Sequence, residues 1–202
     1  YYDLYVYHFL RDVNKSTTYF NQYKPLADKG PALDYEEASL KFASGDFKGA
    51  IVKADELLVS QGANADNRLY RLKGYSYDKM GDSLNAVKEL ETFFEKARPD
   101  QIIPDNYLTL AINSAKFPER QAKVDKYFQM AIDADTSIVN KIDYTRKAAD
   151  FFKKAGNQTK AAEWFTKVLY VNPNPGKVDI YNAGIENFRV PEYQRADSIF
   201  KM

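Results

Sequence analysis

The stretch from Ala149 to Pro173 limits the possible folds of this chain more than any other, because it has the pattern of two amphipathic helices joined by a tight turn. In the first predicted helix, Ala149 and Phe152 lie three residues apart and share one face. Gly156 can adopt the left-handed conformation that ends a helix, and Pro173 lacks the amide hydrogen that a continuing helix needs. The second predicted helix carries one apolar stripe at spacings of four and three, formed by Ala161, Phe165 and Val168.

The same order of residues recurs along the chain. The small residue of the first helix returns at intervals of 36, 37, 38 and 35 residues, as Ala38, Gly74, Ala111, Ala149 and Gly184. The glycine turn returns at Gly45 and Gly81, whereas Phe117-Pro118 and Pro191 replace it in two other copies. Val124 replaces the small residue of the second helix in one of those copies. Five copies in register predict a repeat array, in which each repeat contacts mainly its neighbours.

This order of small, aromatic, glycine and closing proline positions resembles the tetratricopeptide repeat, a helix-turn-helix element with a period near 34 residues. The resemblance covers the whole chain and implies an all-α fold class, an α-α superhelix (solenoid) of such repeats. It divides the chain into one partial repeat, four full repeats and one nearly complete repeat, at 1–30, 31–66, 67–103, 104–141, 142–176 and 177–202. Because both ends interrupt a repeat, we expect the chain to be a segment of a longer protein.

The same pattern predicts where the helices begin and end. The predicted pairs of the full repeats are Leu33–Ser44 with Phe47–Ser60, Arg68–Met80 with Ser83–Ala97, Asp105–Lys116 with Glu119–Ala134, and Asp143–Ala155 with Gln158–Val171. The last repeat begins at Val178–Phe188, and its second helix starts near Glu192. In the partial first repeat, the register places Leu4 and Tyr7 at core positions of the first helix. Its partner helix is predicted to carry Ser16, Phe20 and Tyr23.

Aromatic residues make up 15% of the chain and fall mainly at predicted helix contacts. We therefore interpret four of them as core residues, namely Tyr77, Phe152, Phe165 and Phe200. Trp164 precedes Phe165 and points off its stripe, so that it either packs against the neighbouring repeat or lies partly exposed.

Few residues are suited to catalysis. Cysteine is absent, and His8 is the only histidine, so that a nucleophile-histidine pair or a zinc site would depend on this one residue. Carboxylate pairs such as Glu36 and Glu37 are interpreted as solvated helix surface or as negative charge near a helix start. Gly45, Gly81 and Gly156 are single turn residues rather than a phosphate-binding loop. The sequence therefore predicts no enzyme activity, no cofactor and no metal site.

Charge and hydropathy exclude two further classes of partner. The formal net charge is +1, with 28% charged residues, so that no basic face favours nucleic acid. No run of 18 apolar residues predicts insertion into a membrane. The tyrosine and asparagine content and the missing cysteine favour a bacterial exported or periplasmic protein.

The resemblance implies a binding surface, since first helices of the resembled family line the concave face and hold partner segments. In this register the candidate groove residues are Tyr35, Phe42, Arg68, Arg71, Tyr75, Lys79, Arg146, Lys147, Lys153, Tyr181 and Phe188. Ser39, Leu108, Ile112, Asp150, Asn182 and Ile185 share the same face. The mixture of basic and aromatic side chains suits a segment with carboxylates and one or two apolar anchors. The alternative is that these residues are solubilising charges and aromatics that pack on neighbouring repeats.

The predicted function is a non-catalytic protein-protein interaction scaffold that binds a partner segment in the concave groove. Two other functions remain open. The array could be an architectural spacer or a self-association array, acting through its end helices, in a larger multidomain protein. A ligand-binding or enzymatic role could also come from segments outside this sequence.

Overall fold

The structure is a computed structural model that describes residues 1–9 and 11–202. The described residues form twelve α-helices and no strand. The helices are α1 (Tyr2–His8), α2 (Val13–Tyr23), α3 (Pro31–Ala43), α4 (Phe47–Gln61), α5 (Arg68–Lys79), α6 (Ser83–Lys96), α7 (Pro104–Ser114), α8 (Gln121–Ala134), α9 (Ile138–Lys154), α10 (Gln158–Val171), α11 (Lys177–Arg189) and α12 (Tyr193–Phe200). Single 3₁₀ turns lie at Lys24–Leu26, Gly62–Asn64, Pro99–Gln101 and Pro118–Arg120. The predicted helices are confirmed with shifts of at most two residues at their ends, except at the start of α9.

The chain forms two compact modules. The N-terminal module comprises residues 1–102 and 109–121, and the C-terminal module comprises residues 103–108 and 122–202. Within the N-terminal module α1 packs on α2, α3 on α4, and α5 on α6; within the C-terminal module α9 packs on α10, and α11 on α12. Among the described residues, no helix combines the length and the apolar character needed to span a bilayer. The assignment of the whole chain to a single array of six repeats remains a prediction.

The turns between paired helices follow from two adjacent residues. Gly45, Gly81 and Gly156 have φ angles of 83°, 78° and 73°, the left-handed region that glycine adopts without steric cost. The residue after each glycine caps the next helix: Asp46 Oδ1, for example, accepts a hydrogen bond of 2.9 Å from the amide of Gly49. The glycine therefore stops one helix, and its neighbour starts the next.

The small residues mark the closest helix contacts, as the sequence predicts. Ala38, Ala111 and Ala149 are fully buried. A Cβ atom added to Gly74 would lie 2.7 Å from Leu90 Cγ, so that no larger residue fits without movement. In the second helices the matching positions are also buried, namely Ala50, Ala86, Val124, Ala161 and Ala196. The predicted small-residue positions at these helix contacts are therefore confirmed.

The register of the first repeat is wrong by one residue. Tyr5 is buried at 5% exposure, whereas Leu4 and Tyr7 are 42% and 57% exposed. The reason lies in α2, because Ser16 Oγ donates to the Tyr5 carbonyl at 3.0 Å and the Phe20 ring packs 5.2 Å from the Tyr5 ring. Ser16, Phe20 and Tyr23 lie on the partner helix α2, as predicted, and Ser16 and Phe20 are buried.

Two of the four predicted core aromatics are confirmed. Phe152 and Phe165 are buried, Tyr77 is only half-buried, and Phe200 is 49% exposed. Phe200 covers Gly184 with one ring edge, but Ile199 takes the buried position of α12.

Trp164, for which the sequence left two alternatives, is buried at 4% exposure. Its Nε1 donates to Asp125 Oδ1 at 2.7 Å, and its ring stacks on Phe152 with a centroid distance of 6.4 Å. Trp164 is therefore a packing residue of the C-terminal module, and its indole connects α10 with α8.

The start of α9 was placed five residues too late. The helix begins at Ile138 rather than Asp143, because Ser137 Oγ accepts a hydrogen bond from the amide of Asn140. Asp135 in turn accepts from the amide of Ser137 at 2.7 Å. Serine and aspartate are strong helix-start residues, and this signal precedes the apolar pattern on which the prediction relied.

Candidate functional site

In the N-terminal module, three of the predicted groove residues contact one another. The Arg68 guanidinium lies over the Tyr35 ring at 4.1 Å from its centroid, an arrangement that attracts a cation to the aromatic face. Arg71 Nη2 donates to the Tyr35 hydroxyl at 3.0 Å, and Arg71 Nη1 donates to the Gln101 carbonyl at 3.1 Å. Tyr35 of α3 is thus held by two arginines of α5.

The charge of Arg68 is compensated within the chain. Its Nη2 and Nε donate to Asp66 Oδ2 at 2.6 and 3.0 Å, and the Nε also reaches Oδ1 at 3.1 Å. These hydrogen bonds raise the pKa of Arg68 above its ordinary value, against the opposing effect of burial. A two-pronged pair of this kind is geometrically specific. The guanidinium of Arg68 is therefore already paired with a carboxylate of the same chain, that of Asp66.

The other predicted groove residues of this module are Phe42, Tyr75 and Lys79. The Phe42 and Tyr75 rings lie 6.5 Å apart, and Phe42 also packs against Phe47 at 5.3 Å. Lys79 is exposed at the end of α5. The aromatic positions of α3 and α5 are half-buried, so that they contribute to packing between neighbouring repeats as well as to the surface.

In the C-terminal module, two ion pairs join α9 to α11. Arg146 donates through Nε and Nη2 to the two carboxylate oxygens of Asp179 at 2.9 and 2.7 Å. Two helical turns further along the same face of α9, Lys153 Nζ lies 3.0 Å from Glu186 Oε1, which Arg189 also contacts at 2.7 Å. Asp179 and Glu186 are almost fully buried at 9% and 2% side-chain exposure, so that they depend on these cations.

The Arg146–Asp179 pair has a measurable pH signature. The hydrogen bond from Arg146 is the main cause that lowers the pKa of Asp179 below 3.8, its ordinary value. A lowered folded-state pKa stabilises the fold above the ordinary pKa, and this contribution is lost as the pH falls through the folded-state value.

We expect Arg146→Gln to be less stable than the parent near neutral pH, and the difference in urea midpoint to shrink below about pH 4. A difference that stays constant from pH 7 to pH 2.5 would contradict this assignment.

The remaining basic candidate is also paired. Lys147 Nζ lies 2.7 Å from Asp143, one turn earlier on α9, and both side chains are more than half exposed. The sequence pattern identifies the basic residues of the first helices but not the carboxylates that pair with them, which are Asp66, Asp143, Asp179 and Glu186. A signal was present: Arg146 to Asp179 and Lys153 to Glu186 share the same spacing of 33 residues, close to one repeat.

Tyr181 and Phe188, by contrast, are exposed. Both lie on α11 and are 60% and 55% exposed, and Val178 on the same helix is 72% exposed. The Phe188 ring touches only one aromatic neighbour among the described residues, Tyr193, at 5.3 Å between centroids. Next to this helix, a cleft of about 450 Å³ is lined by side chains of α9 and α11, including Arg146, Asp150, Asp179 and Asn182.

Comparison by sequence identifies no relative: no protein-family model matches the chain, and no curated protein matches it. Comparison of structures identifies several similar proteins. The chain is similar to MamA, with a TM-score of 0.58 and 23% identity over 81% of this chain and 90% of that one. It is similar to YrrB, described as a TPR protein with an unusual peptide-binding site, with a TM-score of 0.63 and 16% identity over 90% and 89%. BtubC from P. vanneervenii also gives a TM-score of 0.63, at 16% identity over 95% and 87%.

These similarities show the fold. The chain has the tetratricopeptide-repeat fold, as its repeat pattern predicts, and it is all-α with helix-turn-helix repeats. At these levels of identity a shared fold carries no shared ligand. The function has to be argued from the side chains described above.

Proposed function

We propose that this chain is a non-catalytic scaffold that binds a segment of a partner protein along the first helices of its repeats. The observation that carries the proposal is an exposed apolar stripe on α11. Val178, Tyr181 and Phe188 are separated by three and seven residues, and half-buried Ile185 lies between the last two. Residues at these spacings share one face of a helix. The apolar stripe is thus continuous over about three turns.

An apolar stripe of this kind fits a protein partner. Exposed apolar surface costs free energy in water, and contiguous patches of it mark interaction surfaces. Tyrosine is enriched among the residues that dominate binding energy, and aromatic rings bury a large area for few frozen torsions. Tyr181 and Phe188 are therefore proposed as the anchors, and an amphipathic or extended segment with apolar side chains as the ligand.

The charges of this face change the expected partner. Because Arg68, Arg146 and Lys153 already hold carboxylates of this chain, a partner carboxylate would have to displace one of them for little net gain. We therefore propose that apolar contacts, rather than acidity of the partner, carry the affinity. The proposed binding residues remain Tyr35, Phe42, Arg68, Arg71, Tyr75, Lys79, Arg146, Lys147, Lys153, Tyr181 and Phe188.

YrrB is described as a TPR protein with an unusual peptide-binding site, so that a chain of this fold is able to hold a peptide, whereas the ligand proposed for this chain rests on its own side chains. No catalytic role is proposed. His8, the only histidine of the sequence, stacks on Tyr19 at 5.6 Å between ring centroids.

A second function, self-association, is favoured by the same stripe, since a second copy of the chain could cover Val178, Tyr181 and Phe188. The two functions differ in what occupies α11. Light scattering across a range of concentrations separates them, because a mass that doubles with concentration indicates a second copy.

The proposal predicts that Tyr181→Ser with Phe188→Ser abolishes capture of the partner by the protein. Each exposed aromatic anchor is expected to contribute roughly tenfold or more in affinity. The matched control is Tyr170→Ser, which removes an aromatic ring that is 84% exposed on α10, a second helix. The readout is quantitative mass spectrometry of the captured proteins, with helicity monitored by circular dichroism.

Capture that is lost in the double variant and kept in Tyr170→Ser supports the scaffold. Capture that survives the double variant, or that falls equally in the control, would place the binding surface elsewhere and remove the proposal.

A further inference from the structure

A second surface of the N-terminal module has a different chemistry. An open cleft of about 360 Å³ lies between α1 and α3, the first helices of two successive repeats. One side of the cleft is formed by α1 and the residue after it, with Tyr2, Tyr5, Val6 and Phe9, and the α3 side supplies Tyr35, Glu36 and Ser39. Neither the apolar stripe of α11 nor the ion pairs of the C-terminal module involve this cleft.

Two polar atoms in the cleft have no partner. Glu36 Oε2 and Ser39 Oγ are both buried and make no hydrogen bond with any residue that the structure describes. Ser39 is 9% exposed, and its position three residues after Glu36 places both groups on one face of α3. A buried polar atom without a partner destabilises a fold, and so such a pair requires an explanation. Both atoms are able to accept a hydrogen bond, so that a donor is what the cleft lacks.

The cleft also carries a carboxylate whose charge is not neutralised by a salt bridge. Arg68, the cation whose charge acts on Glu36, is bound to Asp66 by contacts of 2.6 to 3.1 Å. Glu37, the next residue of α3, is paired with Lys24 at 2.8 Å and with Lys53 at 3.5 Å. Burial raises the pKa of Glu36, and the positive charge of Arg68 offsets this only in part. The interpretation of Glu36 from the sequence as solvated surface or helix start is thus wrong.

We propose that this cleft binds a basic side chain, lysine or arginine, of the partner segment. Its N–H groups donate to Glu36 and Ser39, and its methylene stem packs on the rings of Tyr2, Tyr5 and Phe9. Aromatic faces attract cations, and the long basic side chains combine an apolar stem with a charged tip, which suits a cleft lined by both aromatic rings and a carboxylate. The inference rests on the proposed function and gives its partner a positive rather than a negative group.

The test uses small probes on the full chain. Nα-acetyl-lysine methylamide is titrated while the amide signals of α1 and α3 are followed by NMR, and its neutral analogue Nα-acetyl-norleucine methylamide is titrated in parallel. We expect saturable shifts confined to the cleft, with roughly tenfold weaker binding of the norleucine probe. Glu36→Gln should weaken the lysine probe to the level of norleucine.

Glu37→Gln is the matched control, because it removes the same charge one residue along α3 but from a carboxylate paired outside the cleft. It should bind the lysine probe like the parent. Glu36→Gln should also unfold at the same or a higher urea concentration than the parent, because it removes a half-buried negative charge that no salt bridge among the described residues neutralises. Loss of probe binding without loss of stability identifies a binding group rather than a structural one.

Equal affinity for lysine and norleucine probes would overturn the proposal, as would undiminished binding to Glu36→Gln or shifts that map outside the cleft. Its failure is distinct from failure of the scaffold. Capture that depends on Tyr181 and Phe188, together with a cleft that ignores the lysine probe, removes the basic-side-chain proposal alone. A cleft that binds the probe while no partner is captured removes the scaffold alone.

Discussion

Replacing Ala161 by tryptophan is expected to destabilise the C-terminal module by about 3 kcal/mol. Ala161 is fully buried on α10, and Ala149, the corresponding small residue of α9, is also at 0% exposure. Small residues at both positions let the two helices approach closely, so that an indole at 161 has to push them apart or adopt a strained rotamer. The effect is measured as the change in the midpoint of urea unfolding at constant slope.

Ala122→Trp is the control, because Ala122 lies on α8 of the same module with its side chain exposed. It should change the stability by no more than about 0.5 kcal/mol. If Ala161→Trp were as stable as Ala122→Trp, the register that puts Ala161 at a helix contact would be incorrect.

Replacing Lys73 by methionine is expected to destabilise the N-terminal module by about 3 kcal/mol. Lys73 Nζ lies 2.8 Å from Asp55 of α4 and 2.9 Å from Glu89 of α6, and its own side chain is 10% exposed. Methionine keeps the volume but leaves the carboxylate of Glu89, itself 13% exposed, without a counter-charge. Removal of one partner from a buried pair costs far more than removal of both.

The double variant Lys73→Met with Glu89→Leu therefore serves as the internal check, and it should recover most of the lost stability. Lys147→Met is the matched surface control, because Lys147 and Asp143 form an ion pair in which both side chains are over half exposed. Its effect should lie below about 1 kcal/mol. Equal losses at positions 73 and 147 would show that the burial of the Lys73 pair has no energetic consequence.

The parts of the fold that depend on local rules were predictable from the sequence. A glycine in a left-handed turn, followed by an aspartate or asparagine cap, is a signal within two residues, and it placed α6 and α10 to within a residue. A small residue at a helix contact is equally local, since only its own Cβ decides how closely the helices approach. Ala38 and Gly74 were assigned correctly for this reason.

The parts that depend on which side chains meet across repeats were not predictable in the same way. The sequence shows that Arg146 is basic, but the carboxylate that neutralises it lies 33 residues later, on α11. The charge character of a surface is a property of such pairs, so that counting cations on first helices overestimated the positive potential there. Glu36 shows the opposite case, a charged residue that forms no salt bridge within the described part of the chain. The neighbouring Glu37 pairs with two lysines, whereas Glu36 Oε2 accepts no hydrogen bond there.

The most direct test of the scaffold is a site-specific photo-crosslink from the proposed binding face. p-Benzoylphenylalanine is placed at Tyr181, Phe188 or Tyr170 of the protein in its native cells, and the crosslinked peptides are identified by mass spectrometry. The account predicts that positions 181 and 188 on α11 crosslink to the same partner segment and that position 170 on α10 does not. Crosslinks to one partner from position 170 alone would show that the second helices, rather than the first, form the binding surface.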